Sequence, residues 1–274
     1  GWSLFGGVAN MGASQGLNIL LNLFFGVTVN AAMGIANQVQ AAVYSFVGNF
    51  QTAFNPQIVK SYASGDRGYF IDLIMRTSKY SYFLLFAISL PLYICCEEVL
   101  SLWLGEVPAY TASFCRLMII FSLLDAIQGP LWVSVQATGK IRDYQILMSV
   151  MILSNLPFSY LFLQMGYVPE VVLVIRCMLN FFTLFVRLWY LRRLYDFPVW
   201  RYLREVVGRV IMVTAVVYPI VYLPLETMGF AWKIILLGMV SLLMDGLAMY
   251  YLGLDREERK LLASQLKKIY EKYK

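Results

Sequence analysis

Four polar residues recur at every fourth position in an apolar run near the start of the chain. They are Asn10, Ser14, Asn18 and Asn22, in the segment NMGASQGLNILLN. Side chains spaced in this way lie on one side of an α-helix. In a membrane, such groups either hydrogen-bond to neighbouring helices or line a hydrated cavity that solvates a polar ligand. The ladder predicts one of these two roles, and polar residues on other helices decide between them.

Two arginines, Arg116 and Arg176, lie inside long apolar runs. A guanidinium is costly to bury in a bilayer, so such a residue usually faces the bundle interior or a water-filled cavity. Arg176 is followed on the same helical face by Asn180, Thr183 and Arg187. This face would suit an anionic substrate. For both arginines, pairing with a carboxylate or extending to the membrane surface is the open alternative.

Two carboxylates, Asp125 and Asp245, are equally deep in the apolar sequence. Such a group either couples transport to an ion or proton, or neutralises an arginine. The spacing between Arg116 and Asp125 places them on opposite faces of a straight helix. We therefore expect Asp125 to meet a neighbouring helix.

A second segment repeats the polar pattern, with Gln38, Ser45, Asn49 and Thr52 on one helical side. Polar faces on three segments favour a hydrated central cavity over interhelical hydrogen bonding alone. The predicted cavity residues are Asn10, Ser14, Asn18, Asn22, Gln38, Asn49, Arg116, Arg176 and Asn180, and those predicted for coupling or ion pairing are Asp125 and Asp245.

The composition is that of an integral membrane protein. Of the 274 residues, 60% are hydrophobic and only 14% are charged, whereas soluble domains carry about 25% charged residues. We predict an all-α, polytopic helical bundle with eight spans, at about 4–26, 29–57, 71–95, 109–137, 143–165, 168–190, 205–225 and 231–254, each near the ~20 residues that a bilayer requires. Prolines are expected to interrupt four of them: Pro91, Pro130, Pro157 and Pro219.

The basic residues predict the orientation of these spans. If the first span runs outward, every Lys and Arg except Arg116, Arg176 and Lys233 falls on the cytoplasmic side. Both ends of the chain are then cytoplasmic. The net charge of +6 consequently indicates contact with membrane lipids and not with nucleic acid.

The chain divides into three predicted parts. Residues 1–191 form a six-helix lobe, and 192–254 contain a basic, aromatic interfacial linker followed by two additional helices. Residues 255–274 form an amphipathic cytoplasmic tail, opened by a capping box of Asp255 and Glu258. Because the sequence enters an apolar helix without Met or a polar leader, we expect it to be the C-terminal part of a longer chain.

Several classes of chemistry are not expected. The chain has no His, and it shows no nucleophile–base constellation, metal-ligand cluster or phosphate-binding loop, so we predict no enzyme, metal site or cofactor. The four cysteines lack metal-binding spacing and are predicted to be small buried hydrophobes; they are Cys95, Cys96, Cys115 and Cys177.

Longer stretches resemble a transporter family. The segments NMGASQGLNILLN, NPQIVKSYASGD (55–66) and ATGK (137–140) resemble the second half of polysaccharide-biosynthesis flippases, members of the multidrug/oligosaccharidyl-lipid/polysaccharide exporter superfamily. The resemblance implies that the eight spans correspond to helices seven to fourteen of such a protein. It also implies alternating-access transport of a lipid-linked oligosaccharide from the inner to the outer face of the cytoplasmic (inner) membrane. It further implies that the missing N-terminal lobe supplies half the cavity. The partner ligand would be a polyprenyl diphosphate-linked glycan, with the arginines near its phosphates and the amides near its hydroxyls.

Two other functions stay open. A cation-coupled multidrug antiporter of the same superfamily would favour an acidic cavity. A non-transporting membrane scaffold subunit would leave no cavity, because its polar side chains would pack against each other.

Overall fold

The computed structural model describes residues 2–222, 230–254 and 258, and these form an all-helical bundle, as predicted. The helices are α1 (Trp2–Phe25), α2 (Val27–Ala63), α3 (Arg67–Ile94), α4 (Cys96–Leu104), α5 (Thr111–Thr138), α6 (Arg142–Leu153), α7 (Asn155–Gln164), α8 (Val171–Tyr195), α9 (Val199–Tyr202), α10 (Gly208–Tyr222) and α11 (Phe230–Ala248). One π-helical turn, Leu203–Val207, joins α9 to α10, and another, Met249–Gly253, extends α11. Each of the eight predicted spans contains a helix.

Four helical segments of the described chain are long and apolar enough to cross a membrane. They are α5, α6 with α7, α8, and α9 with α10. The pair α3 and α4, bent by 75°, makes a fifth if it counts as one span. These segments are compatible with a multi-pass membrane protein, but they do not confirm eight spans. Helices α1 and α2 fall short because their asparagines, glutamines and serines lower their mean hydropathy.

Helix α5 is the centre of the bundle and packs against α2, α3 and α8. Pro130 lies inside this continuous helix, as Pro219 lies inside α10, so the predicted interruptions there were wrong. The predicted fifth span does break, at Ser154, between α6 and α7. Pro157 follows closely, and its ring opposes a continuous helix through the preceding turn.

The neighbours of α5 compensate for its proline. Pro130 has no N–H to donate to the Ala126 carbonyl, and the side-chain amide of Gln51 on α2 donates to that carbonyl instead, at 2.9 Å. The next two carbonyls accept bonds from other helices: Tyr202 donates to Ile127 and Arg187 to Gln128. We call residues 126–130 the α5 proline segment.

Gly129 makes the Gln51 contact possible. A Cβ atom at this position would lie 2.3 Å from the Gln51 Oε1 atom. We expect Gly129→Ala to displace the amide and destabilise the chain by about 1–3 kcal/mol, the cost of an unsatisfied buried polar group. The measurement is the thermal unfolding midpoint in detergent. Gly48→Ala is the control, since its Cβ would meet no atom within 4 Å; a midpoint equally lowered in both variants would contradict the role of Gly129.

One end of the bundle is basic, and the described part of the tail is anchored there. Glu258 is buried, with its Oε2 atom 2.6 Å from the Lys79 Nζ atom. Arg76 and Arg209 lie 3.8 and 4.0 Å from the same carboxylate. The predicted surface helix and the capping residue Asp255 lie outside the described residues. Glu258 itself is not at the surface, because it neutralises cations of α3 and α10.

The cysteines behave largely as predicted. Cys95, Cys96 and Cys115 are buried, Cys177 is half-buried, and none of the four forms a disulfide with a described residue. Cys96 and Cys115 belong to the hydrophobic core that joins α1, α2, α4, α5, α7 and the start of α8.

Candidate functional site: a polar cavity beside the central helix

A cavity of about 230 Å³ lies between α1, α2, α5, α8 and the pair α6–α7. Its polar lining comes from every one of these elements: Asn10, Ser14, Gln40, Asp125, Asn155, Arg176, Asn180, Thr183 and Arg187. Apolar side chains, among them Leu17, Phe121 and Met148, complete the wall. The void is therefore an amide- and charge-lined space within an otherwise apolar bundle.

Arg176 reaches this cavity from α8. Its guanidinium stacks on the Phe121 ring, 4.3 Å from the centroid, and approaches the sulfur of Met118 at 3.8 Å. Among the described residues it forms no ion pair. Stacking fixes the plane of the guanidinium while leaving the N–H groups that do not meet Met118 available, which suits a planar, bidentate donor to an anion.

Arg187 enters the same cavity from the same helix. Its Nη1 atom donates to the Gln128 carbonyl at 2.8 Å, and its Nε atom has no hydrogen-bond partner in the described structure. Gln128 also donates to the side-chain oxygen of Asn180, whose amide nitrogen is left without a partner there. The cavity thus holds unused donors next to the α5 proline segment.

Asp125 is the acidic residue of the lining. It interacts electrostatically with Arg176 and with the Tyr44 hydroxyl, but no arginine lies within ion-pairing distance of it in the described structure. The lining residues therefore carry two guanidinium groups against one carboxylate. This balance favours an anionic ligand over a cationic one.

The structure brings together part of the predicted set. Asn10, Ser14, Asp125, Arg176 and Asn180 all line the cavity. The other predicted residues lie elsewhere: Asn18, Asn22, Gln38, Asn49, Arg116 and Asp245.

The four polar residues at every fourth position of α1 do not all reach the cavity, because their direction rotates around the helix axis. A repeat of four residues rotates by about 40° per step on a helix with 3.6 residues per turn. From Asn10 to Asn22 the direction consequently changes by about 120°. Asn10 and Ser14 reach the cavity, whereas Asn22 is exposed at the far end of the helix. The packed stripe of α1 is instead Gly6, Ala9, Ala13, Leu17 and Leu21.

Helix α2 has two polar faces, and the sequence pattern singled out the outer one. Gln38 and Asn49 are exposed, whereas Gln40 lines the cavity and Gln51 reaches α5. Tyr44 shares the inner face, next to Asp125. Gln40, Tyr44 and Gln51 are themselves at helical spacing, so their periodicity was the available signal for this face.

Arg116 and Asp245 have other surroundings. Arg116 pairs with Glu97 at 3.1 Å and donates to the Tyr93 carbonyl, which realises the alternative of carboxylate pairing. Asp245 is buried on α11 and acts electrostatically on Tyr82 of α3. Neither residue can serve the cavity from its position.

Asn155 was missed by sequence reasoning. It is buried at the α6–α7 break and accepts a hydrogen bond from Ser159 at 3.0 Å. The signal was its place in SNLP, two residues before the predicted interruption at Pro157, where the chain can aim a side chain inward. Thr183 and Arg187 followed from the polar face of α8.

Comparisons with protein-family models, curated proteins and solved structures give no match. The resemblance to flippases therefore stays a prediction from the sequence segments that carry it.

Proposed function

We propose that this chain is the C-terminal part of a flippase that translocates a lipid-linked oligosaccharide across the inner membrane by alternating access. The observation that carries the proposal is the cavity, which Arg176 and Arg187 line. Neither arginine forms an ion pair with a carboxylate of the described residues. Phosphate oxygens accept paired hydrogen bonds from guanidinium groups. The amides of Asn10, Gln40 and Asn155 would serve sugar hydroxyls.

The size of the cavity restricts what it would hold. Small-molecule pockets measure about 300–1,000 Å³, and this one is only about 230 Å³. It would hold the diphosphate and adjoining atoms, while the glycan would occupy space beside the exposed amides of α2. Gln38 and Asn49 there have no hydrogen-bond partner in the described structure, and lipid would not satisfy them. In the proposed protein this side faces the N-terminal lobe across a hydrated space.

The proposal includes eight spans with both ends cytoplasmic. The number eight is reached when α1, α2 and α11 also cross the membrane, beside the four apolar segments and the bent pair α3–α4. The concentration of Lys and Arg at one end supports the orientation. The test of function is Arg176→Ala with surface glycan as the readout. Unchanged export would remove Arg176 from the mechanism.

One observation favours the antiporter alternative, namely Asp125 in the cavity wall. A cation-coupled antiporter would lose transport when this carboxylate is neutralised. For the proposed flippase we expect Asp125→Asn to retain at least about half of export, because the anion would still meet both arginines and would lose a repelling charge. The measurement is surface glycan at matched protein level. Loss of export together with loss of drug efflux would favour the antiporter.

A further inference from the structure

A second, larger cavity opens as a groove at the basic end of the bundle. Its volume is about 1010 Å³, and it lies between the start of α1, the start of α6 and the end of α8. We call it the basic groove. Helix α6 separates it from the polar cavity, since Ile146 and Val150 face the groove whereas Met148 and Met151 face the cavity.

The charge of the basic groove is strongly one-sided. Lys140, Arg142 and Arg193 line it, with Asp143 as the acidic residue of the lining. None of the three cations forms an ion pair with a described residue. By contrast, Arg201 is paired elsewhere at this end of the bundle. An unneutralised cluster of this kind attracts a phosphate group.

Aromatic rings hold two of the cations in place. The Arg142 guanidinium lies 5.3 Å from the ring centroid of Trp2, and that of Arg193 lies 4.3 Å from the ring of Trp189. Cation–π stacking leaves the edge of a guanidinium free for bidentate hydrogen bonds. Tryptophan is also the residue type that concentrates at the boundary between membrane and water.

The deeper part of the groove is apolar and exposed. Val150 is 60% exposed and Ile146 37%, and both line the groove one helical turn apart on α6. A soluble phosphate would use only the cations and leave this surface uncovered. An amphiphile would place its phosphate among the cations and its chain along α6.

We propose that the basic groove binds an anionic phospholipid of the leaflet that the basic end meets. Its phosphate lies between Arg142, Arg193 and Lys140, and an acyl chain covers Ile146 and Val150. This site is independent of the proposed transport activity, because its residues are not those of the polar cavity. It would hold α1, α6 and α8 together where they reach the membrane surface.

The test is native mass spectrometry of the full chain released from detergent with added phosphatidylglycerol or phosphatidylcholine. We expect phosphatidylglycerol adducts on the wild type, and loss of about tenfold or more in their affinity in Arg142→Gln/Arg193→Gln, given the contribution of each basic residue near a charged surface. The matched control is Lys60→Gln/Arg204→Gln, which removes two exposed cations outside the groove. Thermal unfolding without added lipid shows whether each variant is folded.

Three results would overturn the proposal. The first is an equal loss of phosphatidylglycerol affinity in the groove variant and the control. The second is equal binding of both lipids by the wild type. The third is displacement of the lipid by millimolar inorganic phosphate. The last result would mean that the site recognises a phosphate group without its chain. If Arg142→Gln/Arg193→Gln does not fold, Val150→Asn tests the chain contact alone, and retention of wild-type lipid affinity in it would equally overturn the proposal.

Discussion

Replacing Arg176 by alanine is expected to reduce glycan export at least about tenfold, because a lost charge-assisted hydrogen bond is worth about 1.5–3 kcal/mol. The residue has no ion-pair partner in the described structure and stacks on Phe121, so the fold loses little when it is truncated. Export is measured as surface glycan at matched protein level. Accumulation of lipid-linked oligosaccharide in the membrane fraction is the second readout.

The chain offers a matched control for this substitution. Arg116 is a second arginine within an apolar helix, but it pairs with Glu97 away from the cavity. Arg116→Ala should leave export near the wild-type level. Arg176→Lys should recover only part of the activity, since an ammonium group keeps the charge and loses the bidentate geometry. Equal export in Arg176→Ala and the wild type would contradict a role for Arg176 in substrate binding.

Arg187 differs from Arg176 in a way that bears on mechanism. It donates to the Gln128 carbonyl within the α5 proline segment and also lines the cavity. It therefore connects the cavity to the central helix α5. An anion arriving in the cavity would compete with this carbonyl for the guanidinium. Such competition would connect occupation of the cavity to the hydrogen bonding of the α5 proline segment.

The helices were predictable from the sequence because long apolar runs and their polar breaks are local features. Helix α1 was predicted over 4–26 and extends from Trp2 to Phe25. The break at Ser154 and the continuity of α5 through Pro130 were not predictable in the same way. They depend on whether a distant side chain, such as Gln51, is available to satisfy the freed carbonyl.

The site was predictable only as far as single-helix periodicity extends. Arg176 and Asn180 could be placed on one face of α8, and that face does line the cavity. Periodicity could not reveal which of two polar faces of α2 turns inward, since this depends on packing against α5. It could not select Glu97 as the partner of Arg116 either, because the chain must first turn by 75° between α3 and α4.

The contact of the tail with α3 predicts the largest change in stability. The substitution Glu258→Gln removes the carboxylate that pairs with the Lys79 ammonium group. Both side chains are nearly fully buried, since Glu258 is 3% exposed and Lys79 is 4% exposed. Removing one partner of a buried ion pair typically costs about 3–5 kcal/mol, because the other charge stays buried and loses its counter-charge. Nearby Arg76 and Arg209 lose the same counter-charge. The free energy of unfolding in detergent should therefore fall by about that amount.

The matched control is Glu205→Gln, which removes a carboxylate from a partly exposed pair with Arg201. Such pairs contribute about 0–1 kcal/mol, so little change is expected. The double variant Lys79→Met/Glu258→Leu should regain most of the stability lost in Glu258→Gln, since apolar residues can replace a buried ion pair at little cost. If Glu258→Gln is as mild as Glu205→Gln, the carboxylate does not hold the tail on α3. If the double variant is less stable than the single one, the contact acts through Arg76 and Arg209 and not chiefly through Lys79.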